Sequence, residues 1–177
     1  MGKRSNFERV ERDFYPTPYE AVVPLLPHLP ENTWFDEPCA GDGALVAHLK
    51  SHGHVCDYAG DIEPRADWIT RRDALDLPEE IWHGGTDFFI TNPPWDRKIL
   101  HPLILSLSDI APTWLLFDAD WMHTKQSEPF MGRCQKIVSV GRVKWIPDST
   151  MTGKDNCAWY LFTEEKTAHT EFYGRMI

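Results

Sequence analysis

The chain has 177 residues, 42% of them hydrophobic, and a formal net charge of −9. That length suits one domain around a single core, no stretch carries the ~18 apolar residues of a membrane helix, and so acidic a total argues at first sight against a nucleic-acid partner. Cys39, Cys56, Cys134 and Cys157 are scattered without a CxxC pair, and the eight histidines show no HExxH-like spacing, which points to free thiols in a reducing, cytoplasmic setting and away from a zinc or other metal site.

The first residues, MGKRSNFERVERDF, are charged and lack an apolar run, so they do not read as a signal peptide. Residues 19–29, YEAVVPLLPHL, predict a short helix interrupted by Pro24 and Pro27. Residues 32–38, NTWFDEP, predict a strand, and residues 43–53 an apolar-periodic helix closed by Gly53, with His52 and His54 as turn residues. A second strand follows over 54–62, then a weak third element near RRDALDL. Residues 86–92, TDFFITN, read as a strand buried on both faces. A helix over 99–110 with Pro102 in its first turn and a strand over 113–120 come next. The last two strands, 136–146 and 156–163, are joined by a polar loop, PDSTMTGKD. This alternation predicts an α/β fold: a doubly wound, Rossmann-like, mostly parallel sheet. The final strand pair adds one antiparallel strand.

The charge is segregated. Residues 57–96 hold ten acids and three Lys/Arg, whereas residues 121–154 hold six Lys/Arg and two acids. An acidic protein of this kind can still carry a basic face.

FDEPCAGDGAL, residues 35–45, reads as strand, glycine turn and helix. In open α/β sheets ligands bind beyond the carboxyl ends of the strands, often at such a turn. Gly41 and Gly43 let the backbone pass close to a ligand. The turn is neither GxGxxG nor a P-loop, and no lysine follows it. Glu37 and Asp42 would repel phosphates and suit a ligand bearing a cation. A second strand-end acid, Asp61, lies 18 residues beyond Gly43, with Glu63 as its alternate; an acid there can accept from both hydroxyls of a ribose. Asp73, in RRDALDL, can accept from the exocyclic amine of an adenine. Taken one at a time, each is better explained as a turn glycine or a solvated loop acid; the ordered series is what calls for a ligand.

The motifs EPCAGDG, GDIEP, RRDAL and NPPW, in that order, resemble those of the class I S-adenosylmethionine-dependent methyltransferases, specifically the N6-adenine DNA methyltransferases. FYPTP (14–18) is similar to the family's N-terminal cofactor motif, and GKDNCAWYLF (153–162) to the late strand pair of small phage- and prophage-encoded members. The resemblance spans about residues 14–163 and implies a single methyltransferase domain over 1–177, with seven strands and the last antiparallel. It implies S-adenosylmethionine as cofactor. Tyr15 and Thr17 would meet its methionine end and Glu37 its amino group. Cys39, Ala40, Gly41 and Gly43 would form the turn beneath it. Asp61 and Ile62 would bind at the ribose, Asp73 and Ala74 at the adenine, and Asn92 next to the methyl group.

The same resemblance explains why an apolar strand ends in Asn92-Pro93-Pro94-Trp95. The Asn92 side-chain carbonyl and the Pro93 backbone carbonyl accept from an exocyclic NH2, Pro94 stiffens the turn, and Trp95 offers a face on which an extruded base stacks, worth ~1–3 kcal/mol. The implied reaction is methylation of adenine N6 in DNA. Adenine in RNA, a protein glutamine, or a non-catalytic cofactor-binding partner subunit are the alternatives, because an NPP-aromatic turn serves any planar nitrogen. There is no room for a separate target-recognition domain. Recognition therefore falls to loops carrying Arg97, Lys98, Lys125, Arg133 and Lys154, and a homodimer or partner subunit is expected to help grip DNA. Restriction–modification, phage protection and regulation all remain open as biological roles.

Overall fold

The computed structural model describes residues 14–77, 85–146 and 153–175. Most of the expected recognition loop, residues 147–152, lies outside the described residues. Among the described residues, eight strands form one sheet in the order β3-β2-β1-β4-β5-β7-β6-β8. They are β1 (Trp34–Glu37), β2 (Val55–Asp61), β3 (Thr70–Arg71), β4 (Phe88–Thr91), β5 (Thr113–Asp118), β6 (Cys134–Gly141), β7 (Cys157–Phe162) and β8 (Glu171–Tyr173). Strands β1 to β5 pair in parallel, and β7 runs antiparallel between β5 and β6. The doubly wound sheet and its antiparallel seventh strand are as the sequence predicts. Strand β8 is an addition. It pairs in parallel with the outer side of β6, and its three residues are exposed, so it has no alternating apolar pattern to betray it.

The helices are α1 (Tyr19–Val22), α2 (Ala44–Ser51), α3 (Arg97–Ser108) and α4 (Glu128–Met131). Pro24 and Pro27 do interrupt the first segment: α1 stops at Val22 and a 3-10 turn follows at Leu26–His28. Helix α3 starts earlier than its apolar pattern suggests, because Asp96 caps it by accepting from the Lys98 N–H at 2.9 Å. Pro102 therefore stands in the second turn, where its missing N–H leaves the Lys98 carbonyl without the usual helical donor. Leu100, Leu103, Ile104 and Leu107 form the buried stripe of α3 at helical spacing.

Successive strand residues face opposite layers, as the two-residue period requires. Ile90, Trp114, Leu116, Trp159 and Leu161 pack in the layer that holds α1 and α2. Phe89, Leu115, Phe117, Tyr160 and Phe162 pack in the layer under α3. There Phe117 stacks on Tyr160 at 4.1 Å and meets the edge of Trp121 at 5.1 Å. Phe117 is 0% exposed. We predict that Phe117→Ala costs about 3–5 kcal/mol through lost burial and a residual cavity. Urea unfolding should show a lowered midpoint with little change of slope, and a loss under about 1 kcal/mol would mean that the aromatic layer repacks.

Candidate functional site

The strand order reverses between β1 and β4, and the carboxyl ends of β1, β2 and β4 meet there in a cleft of about 670 Å³. Such a reversal is where open α/β sheets hold ligands. Of the residues singled out in sequence, Tyr15, Thr17, Glu37, Cys39, Ala40, Gly41, Asp61, Ile62, Asp73, Ala74, Asn92 and Pro94 all line it. Gly43 instead begins α2, Pro93 is buried, and Trp95 packs against both core layers. Phe14, Arg65, Leu75, Ile99 and Leu103 also line the cleft. Phe14, Arg65 and Leu75 are brought there by loops that no sequence spacing marks, and Ile99 and Leu103 by helix α3.

The glycine turn is shaped by aromatic rings. Gly41 and Gly43 both have positive φ, 55° and 84°. A Cβ on Gly41 would come within 2.7 Å of the Phe14 ring, and one on Gly43 within 2.3 Å of the Trp68 ring. Asp61, at the end of β2, accepts from the Gly41 N–H at 2.8 Å and from the Glu63 N–H at 2.7 Å. The Arg65 N–H donates to the Gly41 carbonyl at 2.8 Å, and its guanidinium lies 3.8 Å from the centre of the Phe14 ring. The N-terminal segment is thus pinned across the turn by a cation–π contact.

The cleft is strongly acidic. Glu37, Asp42, Asp61, Glu63, Asp73 and Asp96 line it against a single guanidinium, Arg65, among the described lining residues. Glu37 is 1% exposed and one of its oxygens, Oε2, is buried without a hydrogen-bond partner among the described residues. Burial pushes its pKa well above the ordinary 4.5, and the charges of Asp61 and Asp42 push it further the same way. A buried carboxylate with an idle oxygen, facing an acid-lined cleft, suits a ligand that brings a positive charge. Burial likewise raises the Cys39 thiol, which stays protonated.

Across the cleft, the Asn92 amide bridges two elements. Its Nδ2 donates to the Thr17 hydroxyl at 3.2 Å, and its Oδ1 accepts from the Trp95 indole N–H at 3.4 Å. That N–H also reaches the Leu116 carbonyl at 3.2 Å. The Trp95 ring meets Trp145 edge-on at 5.8 Å, and Trp145 in turn tilts toward Tyr15 at 6.4 Å. Trp145, which follows β6, is a member of this aromatic group that sequence reasoning missed; one of eight tryptophans, it has no neighbouring motif to mark it.

The basic residues divide. Arg97, Lys98, Lys125 and Lys154 are exposed, and each follows β4, follows β5 or precedes β7, at the same edge of the sheet as Asn92. Arg97 is hydrogen-bonded to the Gln126 side chain. Arg133 must be reassigned. Thr113 and Cys134 both sit opposite Phe162, so the start of β6 lies at the far edge with the start of β5. There Arg133 forms an ion pair with Asp109 and bonds the Ser108 hydroxyl at 3.1 Å. Arg142 and Lys144, just after β6, take its place at the near edge.

No protein-family model matches the chain, and no curated protein matches it in sequence. Solved structures do match. A candidate RNA methyltransferase from Pyrococcus horikoshii superposes with a TM-score of 0.56 at 16% identity, over 90% of this chain and 92% of that one. The methyltransferase subunit of a type I restriction–modification system from Streptococcus thermophilus gives 0.58 at 10% identity, over 90% and 47%. A dimethyladenosine transferase from Plasmodium falciparum gives 0.53 at 13% identity, over 85% and 62%. The chain has the methyltransferase fold. It spans about half the length of the type I subunit and most of the Pyrococcus protein. Among the described residues no helix of this methyltransferase fold is long and apolar enough to cross a membrane.

Glu37 sets a pH dependence with a definite sign. Its folded pKa is raised, so above the ordinary 4.5 the native state keeps a proton that the unfolded chain has released. Stability therefore falls as pH rises through that window. We predict that Glu37→Gln removes this fall, so that the melting temperature of the ligand-free variant gains on the parent progressively from about pH 4.5 upward. A variant-minus-parent difference that stays flat with pH would show that Glu37 ionises freely in the folded protein.

Proposed function

We propose that the cleft binds S-adenosylmethionine and that the chain transfers the cofactor's methyl group to the N6 amino group of adenine in DNA. What carries the reading is one juxtaposition: the acid-lined cleft with the idle Glu37 oxygen on one side, and the side-chain amide of Asn92 at its rim. The residues present fit the cofactor. Its sulfonium and ammonium match the carboxylates, Asp61 stands at the strand end that suits a ribose, and Asp73 and Ala74 suit an adenine. Four free thiols fit a reducing cytoplasmic compartment.

Bound there, the cofactor supplies an electrophilic methyl carbon on a positively charged sulfur. The chain's task is orientation. Asn92 Oδ1 and the Pro93 carbonyl accept from the two N–H groups of the target amine and aim its lone pair into the cleft. Pro94 fixes the turn. Trp95, held by its indole N–H, and Trp145 beside it offer aromatic surface to an extruded base. No general base is required of the chain, because an amine that has gained a fourth bond is acidic enough to release its proton to water. The protein acts as one domain, and the substrate meets it at the part of the site edge where Arg97, Lys98, Lys125, Lys154, Arg142 and Lys144 stand, interspersed with Asp118, Asp120 and Asp155. The acid-lined cleft attracts the cofactor and repels the phosphate backbone. With so little cationic surface, a second copy or a partner subunit completes the grip on a duplex.

Two measurements test this. Labelled methyl groups offered with DNA, RNA and protein in parallel should appear in DNA as N6-methyladenine. Asn92→Ala should lower the rate about 10²–10³-fold, the scale for removing one preorganised hydrogen-bonding group, with cofactor affinity largely kept. Label in RNA or in glutamine would move the substrate to one of those classes, and label in none would leave a cofactor-binding partner subunit. Separately, Lys125→Glu with Lys154→Glu should weaken DNA binding and flatten its salt dependence, whose log–log slope is about −0.9 per phosphate neutralised. An unchanged slope would put the nucleic-acid face elsewhere.

A further inference from the structure

We infer that Thr17 is a positioning residue for Asn92: its hydroxyl holds the Asn92 amide in the orientation that presents Oδ1 to the target amine. This rests on the proposed role of Asn92. Thr17 is 5% exposed and accepts from Asn92 Nδ2 at 3.2 Å, bridging 75 residues of sequence. The chemistry of the three groups selects one arrangement. An amide NH2 and an indole N–H can only donate, whereas a hydroxyl can accept and still keep its own proton to give elsewhere. Turning the amide over would set the Asn92 NH2 against the Trp95 N–H, donor against donor. Oδ1 must therefore face Trp95, and Nδ2 must face Thr17.

The two bonds do not hold equally. Trp95 shares its single N–H between Asn92 at 3.4 Å and the Leu116 carbonyl at 3.2 Å. Its grip on Oδ1 is the weaker one, and it leaves the second lone pair of that oxygen for the target amine. Thr17 gives the shorter bond and so fixes the plane of the amide. Thr17 is itself held. Phe14, three residues earlier, lies between the Gly41 turn and the Arg65 guanidinium, and Tyr15 leans on Trp145. The segment thus runs as a strap from the glycine turn to Asn92. It ties the acidic side of the cleft to the acceptor side.

The test compares Thr17→Val, which keeps the shape and removes the hydroxyl, with Thr17→Ser, which keeps the hydroxyl. In single turnover at saturating S-adenosylmethionine, Thr17→Val should slow methyl transfer to DNA by about 10²-fold, the scale of a small misplacement of a reacting group. Cofactor Kd by calorimetry should change far less than the rate does, and Thr17→Ser should recover most of the rate. A second readout needs no turnover. In ¹⁵N-labelled, ligand-free protein the Asn92 side-chain NH2 signals, assigned by their loss in Asn92→Ala, should shift and broaden in Thr17→Val and stay in place in Thr17→Ser. Thr17→Ala serves the same purpose if the valine variant folds poorly. Unmoved Asn92 signals in both hydroxyl-free variants would overturn the inference. So would a rate that recovers fully at saturating cofactor, which would make Thr17 a cofactor ligand alone. If Asn92→Ala itself transfers methyl groups at the parent rate, the role of Asn92 fails and the inference falls with it, whatever the Thr17 variants do.

Discussion

The cleft depends on one carboxylate. Asp61 ends β2, and its two oxygens hold the Gly41 N–H of the turn after β1 and the Glu63 N–H of its own loop. Hydrogen bonds to an ionised acceptor are about twice as strong as neutral ones, so this is a firm brace between two strand ends. Through it, the glycine turn is set at a fixed height above the sheet. Phe14 can then lie over Gly41, and Arg65 can lie over Phe14. The strap that carries Thr17 to Asn92 starts from that stack. Together with the Arg65 N–H on the Gly41 carbonyl, this acid fixes the glycine turn that floors the cleft.

Charge is unevenly spread along the same edge of the sheet. Over β1 and β2 the acids converge, and the buried Glu37 is pushed toward its neutral form by burial first and by Asp61 and Asp42 second. A ligand bearing a positive charge would shift that balance back toward the ionised form. Over β4, β5 and β7 the exposed cations Arg97, Lys98, Lys125 and Lys154 stand among the carboxylates of Asp96, Asp118, Asp120 and Asp155. The Asn92 turn stands between the acid-lined cleft and the mixed-charge edge.

Much of this was legible from the chain. The alternation of strand and helix, the glycine turn and the acids at strand ends all depend on local rules: period, punctuation and the residue types that end a strand. The apolar run that marks α3 begins at Ile99, whereas the helix begins at Arg97, where the Asp96 cap allows it. Strand β8 was invisible because an exposed edge strand buries no face and needs no alternation. Arg133 was misplaced for a different reason. A cation's position along the chain says nothing of which end of a strand it occupies, and that is settled by the pairing of β6 with β7.

By itself, then, the sequence determined the sheet class, the order of its turns, and the residue types that gather at its carboxyl edge, since each follows from contacts between near neighbours. Only the tertiary structure decided which side chains meet across the cleft. Thr17 on Asn92, Arg65 on Phe14 and Trp145 against Trp95 join residues 50 or more positions apart. Such contacts are fixed by how loops from separate strands come together over the sheet, and no local period or spacing encodes them.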